Sequence, residues 1–107
     1  EIIASIKDFN FSEDGNLLLL TNNQVLIIDN FGNLITALEH TNEAPLKLIS
    51  EKDKILIIDE NGIDILDLKS GSRINFLKNK FDGVVEYIHF NSNSYIRDSK
   101  ELYKLSE

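Results

Sequence analysis

Short apolar runs alternate with polar turn segments along the whole chain. The clearest pair, Ile55–Ile58 and Ile63–Leu68, is separated by the turn segment Glu60-Asn61-Gly62. Runs of this length between turn residues predict β-strands joined by hairpins rather than helices. Leu17–Leu20 is apolar at every position, which favours a strand that is covered on both faces. The pattern therefore predicts an all-β chain.

The segment that precedes Leu17–Leu20 has a different pattern. Phe9 and Phe11 alternate with polar residues, which predicts a strand whose phenylalanines lie on a buried face. Asp14-Gly15 suits the tight turn that follows, because glycine readily adopts a positive φ. We expect these two strands to form a hairpin.

Two polar connections divide the chain into three units. They are residues 39–45, which carry the only proline, and residues 78–83. Segments of this composition mark boundaries. We therefore expect units of about residues 1–40, 41–79 and 80–107 within a single domain.

The units are copies of one pattern, and the third copy stops after its third strand. Four short strands in roughly 38 residues match the size of one blade of a β-propeller. The sequence thus predicts about three antiparallel, blade-like sheets. A shift of 38 residues superposes the first two units in three representative pairs: Leu18 with Leu56, Ile27 with Ile65, and Asp29 with Asp67.

The end of the third unit has two interpretations. Asp98-Ser99-Lys100-Glu101 has the spacing of a capping box, which would start a short helix. The repeat instead places a strand over Leu102–Leu105. We expect the strand.

Two motifs resemble repeats of the β-propeller superfamily, of the WD40-like and quinoprotein-like kinds. The segment 63–71, IDILDLKSG, looks like the third strand of such a blade, which ends in Asp before a Ser-Gly turn. The segment 11–16, FSEDGN, resembles the turn between the first and second strands. The repeats are divergent, because Ile28 and Leu66 stand where the WD40 motif has Trp.

The resemblance implies that further blades are needed, since a closed propeller has at least four. The chain is expected to be a piece of a larger propeller or to close a ring as a homodimer. In the dimer, Ile2-Ile3 would supply an outer strand to a blade of the partner. An unclosed stack would expose apolar faces and should self-associate.

Charge and composition narrow the function classes. The net charge of −7 argues against binding to nucleic acid and to anionic membranes. The absence of cysteine excludes disulfides and thiolate chemistry, and no nucleophile–base motif is present. We expect no enzyme activity, no cofactor and no metal. Asp59, Asp64 and Asp67 lack the spacing of a calcium loop, and we interpret Asp29 and Asp67 as turn-forming residues.

Four residues of the third unit are candidates for ligand or partner binding: Tyr87, His89, Tyr95 and Arg97. Aromatic and arginine side chains are favoured as binding anchors. Alternation places Tyr87 and His89 on one face of their strand, and Tyr95 and Arg97 lie in the neighbouring strand. A ligand-binding module should have a cleft where Tyr87, His89, Tyr95 or Arg97 converge, whereas a scaffold should not. His40, the other histidine, lies in a polar connection and is expected to be solvated.

The leading hypothesis is a non-enzymatic protein-interaction module. The alternatives are binding of a small ligand or carbohydrate in clefts between blades, and a non-catalytic segment of a larger propeller protein. The first residue is Glu1, which indicates a processed chain or a piece of a longer one. Together with the absence of cysteine, this favours a periplasmic or secreted location.

Overall fold

The computed structural model describes residues 5–40, 42, 44–78, 80–82 and 86–105. These residues form three antiparallel sheets and no helix, so the prediction of an all-β, blade-like fold is confirmed. Within them, no helix is long and apolar enough to span a membrane. The strands are β1 (Asp8–Phe11), β2 (Leu17–Leu20), β3 (Gln24–Ile28), β4 (Leu34–Glu39), β5 (Lys47–Glu51), β6 (Lys54–Asp59), β7 (Gly62–Asp67), β8 (Arg73–Lys78), β9 (Glu86–Phe90), β10 (Asn93–Arg97) and β11 (Leu102–Leu105).

Each sheet is a meander in which neighbours in sequence are neighbours in space. Strands β1–β4 form blade 1, β5–β8 form blade 2, and β9–β11 form blade 3. Both four-stranded blades carry a bulge at the same place, between Ile27 and Ile28 in blade 1 and between Ile65 and Leu66 in blade 2. The shared irregularity shows that the repeat extends to backbone detail.

At the end of blade 3 the structure has the strand β11, as expected, and not the short helix that the capping-box pattern would start. The Asp98 carboxylate accepts hydrogen bonds from the backbone N–H groups of Lys100 and Glu101, each at 2.8 Å. The same chemistry that caps a helix here stabilises the turn between β10 and β11. Asp29 and Asp67 likewise accept backbone N–H groups in their own turns, as expected.

Blade 2 is the centre of the core, with blades 1 and 3 on its two faces. Successive residues of β6, such as Ile57 and Ile58, have no exposed surface because they point into different clusters. Ile55–Ile58 is therefore pressed between neighbouring sheets, as the continuous apolar run predicts. The blade 1–blade 2 cluster contains Leu18, Leu20, Val25, Ile27, Leu38, Leu48, Ile55, Ile57 and Leu66; the blade 2–blade 3 cluster contains Ile49, Leu56, Ile58, Ile63, Ile65, Phe81 and Ile96.

The phenylalanines of β1 do not lie on a buried face. Phe9 and Phe11 are 58% and 57% exposed, so that prediction is wrong. Asp8 and Asn10 face blade 2 instead, because their side chains bond to the backbone of Leu48. Its N–H donates to Asp8 Oδ2 at 2.8 Å, and its carbonyl accepts from Asn10 Nδ2 at 3.2 Å. These two bonds determine which face of β1 points inward.

Two faces at the ends of the stack are uncovered by the described residues. The blade-1 outer face consists of Phe9, Phe11, Leu17, Leu19, Leu26 and Ile28. The blade-3 outer face consists of Glu86, Ile88, Phe90, Tyr95, Arg97, Leu102 and Lys104. The postulated outer strand at Ile2-Ile3 lies outside the described residues.

His40 is buried rather than solvated, so that expectation is wrong. Its Nδ1 accepts the Asn42 N–H at 3.2 Å, which leaves the proton on Nε2 to bond to the Thr21 carbonyl at 3.0 Å. The Asn42 side chain in turn donates to Asp59 Oδ2 at 2.8 Å. This polar connection is thus a bonded link between blades 1 and 2.

Candidate functional site

Two of the four candidate residues, Tyr87 and His89, lie on the face of blade 3 that packs against blade 2. In the pairing of β9 with β10, Tyr87 lies opposite Ile96 and His89 lies opposite Ser94. Directly paired residues share a face of an antiparallel sheet, so all four side chains point the same way. Ile96 is buried in the core, and the three polar side chains lie towards the edge of that interface.

These polar side chains meet the carboxylate of Glu51 from blade 2. His89 Nδ1 lies 2.9 Å from Glu51 Oε1 and 3.0 Å from Ser94 Oγ. The Tyr87 hydroxyl donates to Glu51 and lies 2.8 Å from Ser94 Oγ. The resulting cluster joins blades 2 and 3 through one acidic side chain.

The cluster opens into a cleft of about 350 Å³ between blades 2 and 3, called here the 2–3 cleft. Its rim is polar and includes the turn between β5 and β6 at Lys52 and Asp53. Such a pocket is at the lower end of the size range for small ligands. It presents hydroxyl, imidazole and carboxylate groups to a ligand.

The contacts of His89 do not form a nucleophile–base–acid relay. In such a triad the serine and the acid contact opposite nitrogens of the imidazole. Here Ser94 and Glu51 both approach Nδ1. The arrangement suits binding rather than activation of the Ser94 hydroxyl. Within the described part of the chain, no group of three or more acidic or histidine side chains is placed to hold a metal ion.

The other two candidates lie on the opposite side of the sheet. Tyr95 pairs with Ile88 and Arg97 pairs with Glu86, which places them on the blade-3 outer face. Arg97 forms a salt bridge with Glu86, and both side chains are at least half exposed. The structure therefore separates the four residues into two pairs on opposite faces, and they do not converge in one cleft.

The blade-3 outer face differs in chemistry from the equivalent face of blade 2. A shift of 39 residues places Arg97 on Ile58 and Lys104 on Ile65. Both isoleucines are buried against blade 3, whereas both cationic residues are exposed. Blade 3 thus carries charges at positions where blade 2 contributes to the core.

A larger cleft, which the sequence pattern did not identify, lies between blades 1 and 2 and is called here the 1–2 cleft. It has a volume of about 680 Å³. The β1–β2 turn of blade 1 forms one wall, and the β5–β6 and β7–β8 turns of blade 2 form the other. The repeat in the sequence could have predicted this cleft, because equivalent turns of successive blades must meet at one end of the stack.

The comparisons with known proteins agree on architecture. No protein-family model and no curated protein matches the chain. Among solved structures it is similar to Kluyveromyces lactis Hsv2, with a TM-score of 0.69 and 15% identity over 97% of this chain and 36% of that chain. It is also similar to the AfRom2 CNH domain, with a TM-score of 0.69 and 12% identity over 97% and 35% of the two chains.

A third similar structure is the N-terminal domain of Nup159, with a TM-score of 0.58 and 15% identity over 97% of this chain and 34% of that chain. These neighbours are β-propeller proteins. The chain spans little more than a third of the length of each. Its fold is that of three successive blades of a β-propeller.

Proposed function

We propose that this chain is part of a β-propeller that binds other proteins, and that the blade-3 outer face contacts the partner. The single observation that carries the proposal is the replacement of core isoleucines by Arg97 and Lys104 on that face. An apolar blade packed permanently over it would have to desolvate both cations, at a considerable cost in free energy. A partner that leaves the charges at a hydrated rim avoids that cost.

The remaining side chains of this face suit a reversible protein interface. Phe90 is 64% and Leu102 is 61% exposed, and they lie on the same face as Tyr95 and Arg97. Exposed apolar side chains beside aromatic and arginine residues are typical of protein contact surfaces. Tyr95 and Arg97 are the anchors in this proposal.

The similar solved structures support an interaction role without specifying it. One of them is a complex in which S. cerevisiae Dbp5 is bound to Nup159 and Gle1. The likeness is at the level of fold, so partner identity does not transfer. The proposal extends to this chain only the general use of propeller surfaces as binding platforms, within the WD40-like or quinoprotein-like superfamily that its motifs resemble.

The test begins with a photoreactive phenylalanine analogue at position 90, an exposed position on the same face that leaves both anchors in place, to capture and identify the partner. Binding of that purified partner is then compared between the wild type and the double variant Tyr95→Ala with Arg97→Ala. We expect a loss of about 2 kcal/mol or more, roughly 30-fold in affinity.

Phe31→Ala is the matched control, because Phe31 is 83% exposed in a turn of blade 1, outside both outer faces. The control should bind as tightly as the wild type. Equal binding by the double variant and the wild type would contradict the placement of the partner on the blade-3 outer face.

The second candidate is binding of a small ligand or carbohydrate in the 2–3 cleft. It is favoured by Glu51, His89 and Ser94, which line an open pocket. Tyr87 supports this cluster through its contacts with Glu51 and Ser94. The two candidates use opposite faces of blade 3, so the double variant distinguishes them. Ligand binding in the 2–3 cleft would survive the loss of Tyr95 and Arg97.

A further inference from the structure

The 1–2 cleft has walls of unlike charge. Glu13 and Asp14 lie on the blade-1 wall, in the turn between β1 and β2. Lys52 and Lys69 lie on the blade-2 wall, where Asp53 is also present. Among the described residues, no salt bridge connects the acidic side chains of one wall with the lysines of the other.

The floor of this cleft is apolar. Ile35 is 54% exposed although it lies in a concave part of the surface, and Leu68 is half-buried beside it. Ile27 completes the floor from the core of blade 1. The other lining residues are polar or charged, so the cleft combines a small apolar surface with many polar groups. Its volume of about 680 Å³ is an ordinary size for a small-molecule site.

We propose that the 1–2 cleft binds a small aliphatic zwitterion, of the class of α-amino acids with branched side chains. The ammonium group lies towards Glu13 and Asp14, and the carboxylate lies towards Lys52 and Lys69. The side chain covers Ile35 and Leu68. A ligand with only one charge leaves the opposite wall unpaired, whereas a zwitterion satisfies both walls at once.

This site is separate from the protein-binding face proposed above. The 1–2 cleft lies between blades 1 and 2, whereas Tyr95 and Arg97 lie on the far side of blade 3. Either proposal can therefore fail without the other.

The test is a titration of the 107-residue chain with L-leucine, followed by NMR spectroscopy of the backbone amides and by calorimetry. We expect saturable shifts at the turns of the cleft, with a dissociation constant on the order of 1 mM because exposed charges contribute little individually. N-acetyl-leucinamide, which has the same side chain and no charge, should bind about tenfold more weakly or not at all.

Two double variants, each of which removes the two like charges of one wall, test the walls separately. Glu13→Gln with Asp14→Asn, and Lys52→Gln with Lys69→Gln, should each weaken leucine binding about threefold to tenfold. Lys100→Gln with Glu101→Gln, at the turn between β10 and β11, is the matched control and should leave binding unchanged. All six side chains are exposed, so folding should be preserved and is checked by thermal unfolding.

Three results would overturn the proposal. They are equal binding of L-leucine and its neutral analogue, wild-type affinity in both wall variants, and amide shifts confined to residues outside the cleft.

Discussion

Gly62 is required for space rather than for backbone conformation. A Cβ added there would lie 2.5 Å from the Leu77 carbonyl oxygen and 2.8 Å from Phe76 Cζ. Gly15, in the β1–β2 turn, is the opposite case, because its φ is +87° and nothing lies near its missing Cβ. The same residue type thus has two different physical roles in equivalent-looking turn segments.

We therefore predict unlike responses to one substitution. Gly62→Asn should reduce the free energy of unfolding by about 2 kcal/mol, because β8 must move away from β7. Gly15→Asn should cost less than about 1 kcal/mol, because asparagine tolerates a positive φ. Urea unfolding of both variants measures the difference, and equal losses would show that close packing is not the constraint at Gly62.

The two candidate binding surfaces of blade 3 differ in the charge and exposure of single side chains. Arg97 is exposed on the blade-3 outer face, while His89 lies on the other face beside Glu51. Because side chains alternate along a strand, neighbouring residues of β9 point to opposite faces of the sheet. Whether residues of β9 and β10 share a face depends on the register between the strands, which is a property of the hairpin.

At the scale of elements, each blade has a side-chain cap at the end of its second strand. Thr21, Asp59 and Asp98 occupy this position and are buried, and each accepts the backbone N–H of the residue two positions later. Such a bond holds the turn to the third strand. In blade 3, Asp98 also accepts the Asp82 N–H at 2.9 Å, which ties the preceding connection to the blade.

The Asp98 cap should make stability depend on pH in the acid range. Backbone hydrogen bonds from Glu101, then Asp82 and Lys100, lower the pKa of Asp98 from 3.8 to about 2. Because the folded carboxylate binds its proton more weakly than the unfolded one, the stabilisation is complete above pH 4 and is lost as pH falls through about 2.

Asp98→Asn should therefore be less stable than the wild type at neutral pH and should lose less stability on acidification. Unfolding midpoints measured between pH 2 and 5 test this, because the stabilisation is lost between the unfolded pKa of 3.8 and the folded pKa of about 2. Tyr103→Phe, which removes the 3.3 Å contact of the tyrosine hydroxyl with Asp98 Oδ2 and keeps the carboxylate, should keep most of the wild-type slope. A wild-type slope in Asp98→Asn would contradict the role of the cap.

At the scale of the whole molecule, the covered and uncovered faces differ in a way that bears on assembly. The blade-1 outer face is apolar apart from its end at Gln24 and Glu39. The face of blade 2 that blade 1 covers instead contains the salt bridge of Asp64 with Arg73, with Nε–Oδ1 at 2.6 Å. Contiguous apolar surface of this kind is rarely left in contact with water.

The homodimer remains a prediction. In a closed ring the partner's blade-1 outer face would cover Arg97 and Lys104 and desolvate both cations. We therefore expect association to begin between two blade-1 outer faces.

We predict that the 107-residue chain self-associates through the blade-1 outer face. Light scattering should show a mass that increases with concentration, and Phe11→Lys should reduce the increase while leaving thermal stability nearly unchanged. Phe31→Lys introduces the same charge at an exposed turn and should behave as the wild type. A wild-type chain that stays monomeric at every concentration would contradict the prediction.

The local sequence pattern predicts the blade architecture, but it predicts the candidate site only in part. The run Ile55–Ile58, its flanking turns and its 38-residue repeat together predict a blade covered on both faces. The strand at Leu102–Leu105 also follows from the repeat, against the capping-box pattern. These inferences succeed because strand length, turn chemistry and periodicity are properties of short segments.

The side of each strand that faces a neighbouring blade does not follow from local pattern, because it depends on contacts between blades. Phe9 and Phe11 point outward because Asp8 and Asn10 bond to the backbone of Leu48, in another blade. His40 is buried because two blades meet around it. The two clefts likewise arise where turns from different blades come together. The blades thus follow from short segments of sequence, whereas the candidate sites depend on contacts between blades, because those contacts join residues far apart in the chain.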